Sequence, residues 1–254
     1  MRYMVDITHF NLTSYENLLT TARENNYRFI LFDDRNRYSN NVCIIRHDID
    51  ADMGAAHIMA KVEFENDVKA TYFVMIRSPL YNLFSRHNSK YVERILDMGH
   101  TLGIHYDASF HKKHEYSLKS SIADEISILE TEFDTCVDTI SFHQPNQDIL
   151  KGNLSIPYKI NTYNTTDMSG YLYISDSNMQ FSHENPFDVF KSRYYSKIHL
   201  LIHPLWWVYS DITPEDIWER VIIHNFELSQ HQLLDTEGAY GNRRIMSLRR
   251  SDIT

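Results

Sequence analysis

Short apolar runs alternate with segments of helical spacing through the middle of the chain. The runs are rich in β-branched and aromatic residues and have the length of buried strands. They predict strands at 42–46, 70–76, 101–106, 139–143 and 198–203, with weaker signals at 158–163 and 171–174. Strands that alternate with helices indicate βαβ units, so we expect an α/β protein with a mainly parallel sheet.

Helices are predicted between the strands from the 3.6-residue period. The clearest is a long amphipathic helix on which five apolar residues share one face: Leu118, Ile122, Ile126, Leu129 and Phe133. Two more helices are expected at 51–65 and 91–98. Thr213 has the position of an N-cap for a late helix, because Pro214 follows it at the first helical position.

We expect a single domain over residues 1–254, with a helical extension at 1–40 and a polar tail at 236–254. A length of 254 residues suits one large α/β domain. In the N-terminal extension, Thr13 and Glu16 have the spacing of a capping box, which predicts a helix that starts there.

Composition excludes several classes of protein. Apolar residues make up 43% of the chain, enough for a buried core, and the net charge of −9 argues against a nucleic-acid partner. The two cysteines, Cys43 and Cys136, indicate no disulfide framework and favour a reducing cytoplasm. The chain has neither a run of 18 uncharged apolar residues nor a visible secretory signal. We therefore expect no membrane span and a cytoplasmic location.

Two carboxylates stand at the end of the first strong strand, in the sequence His47-Asp48-Ile49-Asp50. Because side chains alternate along a strand, Asp48 and Asp50 point to the same face, about 7 Å apart along the chain. One such carboxylate can bind a cation while the other takes a proton. The competing interpretation is a pair of turn or N-cap residues before the next helix.

Histidines end three further strands of the predicted sheet. They are His105, which shares a face with Asp107, and then His143 and His203. Imidazole and carboxylate groups are good ligands for zinc. The carboxyl ends of parallel strands build the active site of a barrel, so these scattered side chains can converge. A buried histidine with a structural hydrogen bond is the competing interpretation for each, and for His100 we prefer it.

Four other residues are candidates for supporting roles. Asp176 either orients a catalytic group or caps a turn. Trp206 and Trp207 follow His203 and either form an apolar wall for an acyl methyl or sugar face, or pack in the core. His111 lies in a polar segment whose simplest interpretation is a solvated loop.

Together these segments resemble the polysaccharide deacetylase (NodB-homology, carbohydrate esterase family 4) superfamily over about residues 42–207, as a His-Asp-x-Asp variant. The resemblance implies a distorted, incomplete (β/α) barrel with mainly parallel strands. In the motif that ends the first strand, it makes Asp48 the general base and Asp50 a metal ligand. It makes His105 a second metal ligand and His203, in a Leu-x-x-His motif, the general acid.

The chain departs from the pattern of this superfamily at two places. Ser109 stands where a second metal-binding histidine usually falls, four residues after the first. We take His143 as the third ligand, with Asp107 next and His111 also open, since the first two should lie at the barrel mouth. The arginine usual in the third motif is absent from residues 141–145.

The resemblance implies an amide hydrolase that depends on a divalent metal, zinc by preference. Its reaction would remove an N-acyl group, acetyl in the simplest case, from an amino sugar or sugar precursor. The expected partner is a small carbohydrate or sugar nucleotide. Two alternatives stay open: a metal-free carbohydrate-binding relative without catalysis, and a hydrolase of another non-peptide C–N bond such as a formamide.

Overall fold

The computed structural model of the chain describes residues 9–110, 117–151, 154–181, 184–210 and 212–240. Two compact units divide the chain, the first over 1–211 and the second over 212–254. Each unit is described by itself. The prediction of a single domain with two terminal extensions stays a prediction.

The first unit is built on a parallel sheet. Its strands in the described residues are β1 (Arg28–Ile30), β2 (Val42–Ile49), β3 (Thr71–Val74), β4 (Thr101–Asp107), β5 (Thr139–His143), β6 (Ile160–Asn161), β7 (Leu172–Ser175) and β8 (Lys197–Ile202). They are ordered β6-β5-β4-β3-β2-β8-β7, and β1 pairs with the first residues of β2. Over the described ranges, β6 and β7 are the two edges and do not pair with each other. The fold is therefore an incomplete (β/α) barrel of parallel strands, as predicted.

Helices connect the strands on the outside of this half-barrel. They are α1 (Leu12–Glu24), α2 (Met53–Glu65), α3 (Arg86–Asp97), α4 (Leu118–Phe133), α5 (Gln147–Leu150), α6 (Pro186–Ser192) and α7 (Pro204–Val208). The second unit contains α8 (Pro214–Thr236). Among the described residues, no helix has the length and apolarity that a membrane crossing requires.

Strand β2 lies in the interior of the sheet, and all eight of its residues are buried. It pairs with β8 along one edge and with β1 and then β3 along the other. Strands of parallel sheets are normally continuous apolar runs. In β2 the run ends instead in three buried polar residues, Arg46, His47 and Asp48. Since an unpaired buried charge is costly, each of them needs a partner.

Inside the half-barrel, an aromatic ring lies across a strand at its one glycine. A Cβ atom on Gly103 of β4 would lie 2.5 Å from Cδ1 of Phe73 and 2.8 Å from Oγ1 of Thr139. No side chain fits at such distances, so glycine at this position lets the Phe73 ring cover β4. Phe73 also belongs to a buried apolar cluster with Ile44 of β2 and Phe32.

Helix starts differ from their prediction more than strands do. Helix α1 is capped by Asn11, whose Oδ1 accepts a hydrogen bond from the Ser14 amide at 2.8 Å, so the expected start at Thr13 is wrong. Helix α2 begins after Asp52 rather than at residue 51. The cap at Thr213 is confirmed, because its Oγ1 accepts from the Asp216 amide at 3.2 Å.

Several short elements had no prediction, and one predicted strand is shorter than expected. The strand predicted at 158–163 is confined to Ile160–Asn161. The missed elements are β1 and the helices α5, α6 and α7, which have three to seven residues each. In so short an element the hydrophobic period hardly repeats, so a sequence pattern cannot reveal it.

Candidate active site

Four residues expected to share a pocket meet at the carboxyl edge of the sheet. His105 Nε2 lies 3.1 Å from Asp50 Oδ1 and 3.7 Å from Asp48 Oδ2. His203 Nε2 lies 3.9 Å from Asp50 Oδ2. The residues come from the ends of β2, β4 and β8, and they converge because those strands are parallel and end at the same edge.

Asp48 is bound by Arg46, a residue that the sequence patterns did not indicate. Arg46 Nε donates to Asp48 Oδ1 at 2.7 Å, and Arg46 Nη2 donates to Asp48 Oδ2 at 2.6 Å. This is the two-pronged geometry typical of arginine and carboxylate. Burial alone would raise the pKa of Asp48, but the guanidinium outweighs it and holds that pKa well below its usual range. The available signal was an Arg-x-Asp pair on one face of an otherwise apolar strand.

The guanidinium of Arg46 is itself enclosed. It lies 5.4 Å from the centre of the Phe73 ring and 5.1 Å from that of Tyr163. Its Nη1 donates to Thr162 Oγ1 at 2.9 Å. Stacking between rings suits the planar, weakly hydrated guanidinium. The cation is therefore held in place from three sides and fixes the direction of the Asp48 carboxylate.

His203 is oriented by a buried carboxylate. Its Nδ1 lies 2.6 Å from Asp176 Oδ1, and the indole Nε1 of Trp207 donates to Asp176 Oδ2 at 2.8 Å. Burial would lower the pKa of His203, but Asp176 outweighs burial, and with Asp50 and Asp48 it raises that pKa to about 9. At neutral pH the ring is an imidazolium whose Nε2–H is directed toward the site.

His105 is linked to Asp48 through a serine. Its Nδ1 lies 2.5 Å from Ser141 Oγ, and that hydroxyl donates to Asp48 Oδ1 at 3.4 Å. A hydroxyl has one hydrogen, so Ser141 accepts from Nδ1 when it donates to Asp48. In that arrangement His105 Nδ1 is a donor, and Nε2 is the ring nitrogen that faces Asp50.

Asp50 and His105 fit two positions around a cation. Within the described part of the chain, Asp50 Oδ1 is buried and makes no regular hydrogen bond, and His105 Nε2 lies 3.1 Å from it. Burial would raise the pKa of Asp50, but the nearby imidazoles of His105 and His203 outweigh it and lower that pKa. A carboxylate oxygen and an imidazole nitrogen 3.1 Å apart in a buried position suit a shared divalent cation, which neutral imidazole and carboxylate bind through bonds of about 2.0–2.2 Å.

The third position expected around the cation is not filled in the same way. His143 lies beside His105, with ring centroids 5.5 Å apart, and its Nδ1 is 3.8 Å from Asp107 Oδ2. Asp107 Oδ1 accepts from the Ser109 amide at 2.8 Å. Across the described ranges, no three His, Cys, Asp or Glu side chains are placed to hold a metal ion together. His111 lies outside the described residues.

The two tryptophans are buried residues of the short helix α7. The Trp207 ring packs against Phe10 and Tyr15, at centroid distances of 4.9 and 5.4 Å. The Trp206 ring is centred 6.5 Å from the His203 ring. Trp207 therefore reaches the site through Asp176, and contact of either ring with a substrate stays a prediction.

Comparisons with known proteins give structural neighbours alone. No protein-family model and no curated protein matches the chain. A family 4 acetyl xylan esterase from Clostridium thermocellum, solved with a cobalt ion, shares 13% identity over 75% of this chain and 83% of its own, with a TM-score of 0.40. The chitin deacetylase of Colletotrichum lindemuthianum shares 12% identity over 73% of this chain and 81% of its own, with a TM-score of 0.36.

A third neighbour is a carbohydrate esterase family 4 pseudoenzyme from Bacillus anthracis. It shares 15% identity over 75% of this chain, which spans 62% of that protein, at a TM-score of 0.38. These neighbours are carbohydrate esterases and deacetylases by name. None of them assigns an activity to this chain.

Proposed function

We propose that the protein is a hydrolase that removes an N-acyl group, acetyl in the simplest case, from an amino sugar. One observation supports this most strongly: a histidine protonated at neutral pH, His203, stands opposite a carboxylate and a second histidine at the edge of a half-barrel. The proposed substrate is a small carbohydrate or sugar nucleotide. Its proposed location is the cytoplasm, which the two free cysteines favour.

In this proposal Asp48 is the general base. Its carboxylate is ionised throughout the neutral range and is aimed by the Arg46 fork. In this role it accepts a proton from the attacking water, and since its conjugate acid is strong, that water must have a lowered pKa. Asp48 lies 3.7 Å from His105, so the water would be activated between these two side chains.

His203 is the general acid of the proposal. An amine is a poor leaving group unless it is protonated as the C–N bond breaks. The Nδ1–H of His203 is directed to Asp176, so Nε2–H is the proton it can give. Asp176 keeps the ring charged before the reaction and fixes its orientation.

Asp50 and His105 are the proposed metal ligands. A divalent cation bound there, zinc by preference, would polarise the acyl carbonyl and lower the pKa of a bound water. His143 is the proposed third ligand, with Asp107 and His111 as the alternatives. Asp50 Oδ1, which lacks a hydrogen-bond partner, supports this assignment.

The test is release of acetate from N-acetylated amino sugars and, separately, from an aryl acetate. Asp48→Asn should lower kcat on both substrates by at least about 100-fold. His203→Ala should lower the amide rate by about 100-fold or more and the aryl ester rate much less, because phenolate leaves without protonation. Equal losses on the two substrates would exclude His203 as the acid.

A metal-free relative that binds a carbohydrate without cleaving it is the second candidate. It is favoured by the lack of a three-donor group among the described residues. Metal content after purification without chelators, together with calorimetric titration of zinc, separates the two. Absence of bound metal, absence of zinc affinity and absence of acetate release would together establish the binding protein.

A further inference from the structure

The peptide group that joins Ile202 to His203 is held at both ends by side chains. Its carbonyl oxygen lies 3.2 Å from His47 Nδ1. Its amide N–H lies 3.0 Å from each carboxylate oxygen of Asp176. The side chain of His203, the proposed acid, extends from this peptide. The orientation of the peptide therefore determines the position of the His203 imidazole.

His47 faces an acceptor at each ring nitrogen. The Ile202 carbonyl can accept but not donate, so Nδ1 must carry a hydrogen. Nε2 lies 2.7 Å from Glu63 Oε1. Burial would raise the pKa of Glu63, but His47 outweighs burial and lowers it, so the carboxylate is ionised and accepts as well. His47 therefore bridges the Ile202 carbonyl and the Glu63 carboxylate, one at each ring nitrogen.

Two tyrosines and a second histidine also lie beside Glu63. The hydroxyls of Tyr15 and Tyr72 donate to its two oxygens at 2.5 and 2.6 Å. His100 is a neutral neighbour, because its Nδ1 accepts from the Ala70 amide at 3.1 Å and its Nε2 is then the donor to the Ala60 carbonyl at 3.0 Å. Among these polar groups, His47 is the one that joins Glu63 to the Ile202 carbonyl, and all of them are buried.

We propose that His47 is a positioning residue for His203: anchored by Glu63 on the helix side of β2, it holds the Ile202–His203 peptide from one end while Asp176 holds it from the other. This inference rests on the proposed function, in which His203 is the acid. His47 touches no reacting atom. It acts by joining the ends of β2 and β8, where His203 Nε2 lies 3.9 Å from Asp50 Oδ2.

Two substitutions separate the two bonds of His47. The amide nitrogen of asparagine can occupy the place of Nδ1, and that of glutamine the place of Nε2. His47→Asn therefore keeps a donor for the Ile202 carbonyl and loses the one for Glu63. His47→Gln does the reverse. Both are polar and uncharged, so a general loss of stability would affect them alike, and thermal unfolding of each checks that the fold is kept.

The first readout is kinetic. His47→Gln should lower kcat on an N-acetylated amino sugar by about 10- to 100-fold, since misplacing a reacting group by 1 Å can cost this much. KM and the aryl acetate rate should stay within about threefold of wild type, and His47→Asn should lose clearly less of its amide rate than His47→Gln, because it keeps the donor to the Ile202 carbonyl. A glutamine variant as active on the amide as the asparagine variant would overturn the proposal.

The second readout does not need activity. The backbone amide resonance of His203 should shift in His47→Gln and stay near its wild-type position in His47→Asn. Suppose the shift is seen but neither wild type nor either variant releases acetate. In that case the positioning role of His47 is supported and the proposed function fails. If the His203 resonance is unchanged in both variants, His47 does not position His203, even when the enzyme is active.

Discussion

Consecutive polar residues of one buried strand find their hydrogen-bond partners on opposite faces of the sheet. Arg46 and Asp48 pair with each other inside the half-barrel, and His47 pairs with Glu63 on the helix side. Alternation along β2 causes this division, because successive side chains point to opposite faces. Each charge is compensated within a few ångströms, so loss of one partner should cost far more than loss of both.

Arg46→Met should reveal that dependence. It leaves an ionised Asp48 buried without its cation, and the free energy of unfolding should fall by about 3–5 kcal/mol, as for other broken buried ion pairs. Urea unfolding measures the loss. The double variant Arg46→Met with Asp48→Leu is the matched control and should be more stable than Arg46→Met alone. A double variant less stable than the single one would show that the pair does more than neutralise itself.

The charge on His203 makes both rate and stability depend on pH in the alkaline range. Its pKa in the folded protein is about 9, against an ordinary 6.5. The stability gained from the imidazolium is thus fully present below about 6.5 and is lost as the pH rises through about 9. The rate of amide hydrolysis should also fall as the pH rises through about 9, because His203, the proposed acid, loses its proton there.

Asp176→Asn is the control for this pH dependence. It removes the carboxylate that raises the pKa of His203 and keeps the shape of the side chain. The alkaline limit of the pH–rate profile on an amide substrate should move to lower pH. A limit that stays where it was would show that another group, and not His203, titrates there.

At the scale of elements, β4 is shaped by what lies across it. Phe73 of β3 covers Gly103, and the same ring supports the guanidinium of Arg46. Packing of one strand on the next is thereby connected to the position of the Asp48 carboxylate. The apolar run of β4 predicted a strand, whereas the need for glycine at its third residue comes from the neighbouring strand.

Gly103→Ala should destabilise the sheet and also slow the reaction. The added methyl group collides with Phe73 and Thr139, and overpacking of this kind costs about 1–3 kcal/mol. Chemical unfolding measures the change. Gly238→Ala is the matched control, because nothing lies within 4 Å of its added Cβ, and it should leave both stability and activity near wild type. Equal effects of the two substitutions would contradict this account.

At the scale of the whole molecule, the site exists because parallel strands distant in sequence end at one edge. His105 follows Asp50 by 55 positions along the chain, and His203 follows His105 by another 98. If Asp50 and His105 bind a cation, that cation joins β2 to β4 in the folded state alone. Metal binding should therefore stabilise the fold by mass action.

Zinc should raise the midpoint of thermal unfolding of the wild-type protein. At a free concentration one hundred times the dissociation constant, the gain is about 2.7 kcal/mol. Asp50→Asn weakens one of the two donors and should reduce the shift, while Asp107→Asn tests the alternative third donor. An identical zinc response in wild type and in Asp50→Asn would place the cation elsewhere or nowhere.

Much of the fold was determined locally by the sequence. Apolar runs and the helical period predicted most strands and the long helices, and the parallel barrel followed from their alternation. The polar residues at strand ends could be named as well, because the carboxyl ends of parallel strands all lie at the same edge of the sheet. Asp48, Asp50, His105 and His203 are such residues, and they lie together.

Tertiary structure alone decided how those residues are held. Arg46 reaches Thr162 over 116 positions of sequence, Asp176 orients His203 across two strands, and His47 fixes the peptide before His203 over 155 positions. No local period encodes such pairs, because they depend on which strands become neighbours and on side-chain reach between them. The sequence thus defined the chemical groups at the sheet edge, and their partners were set by packing.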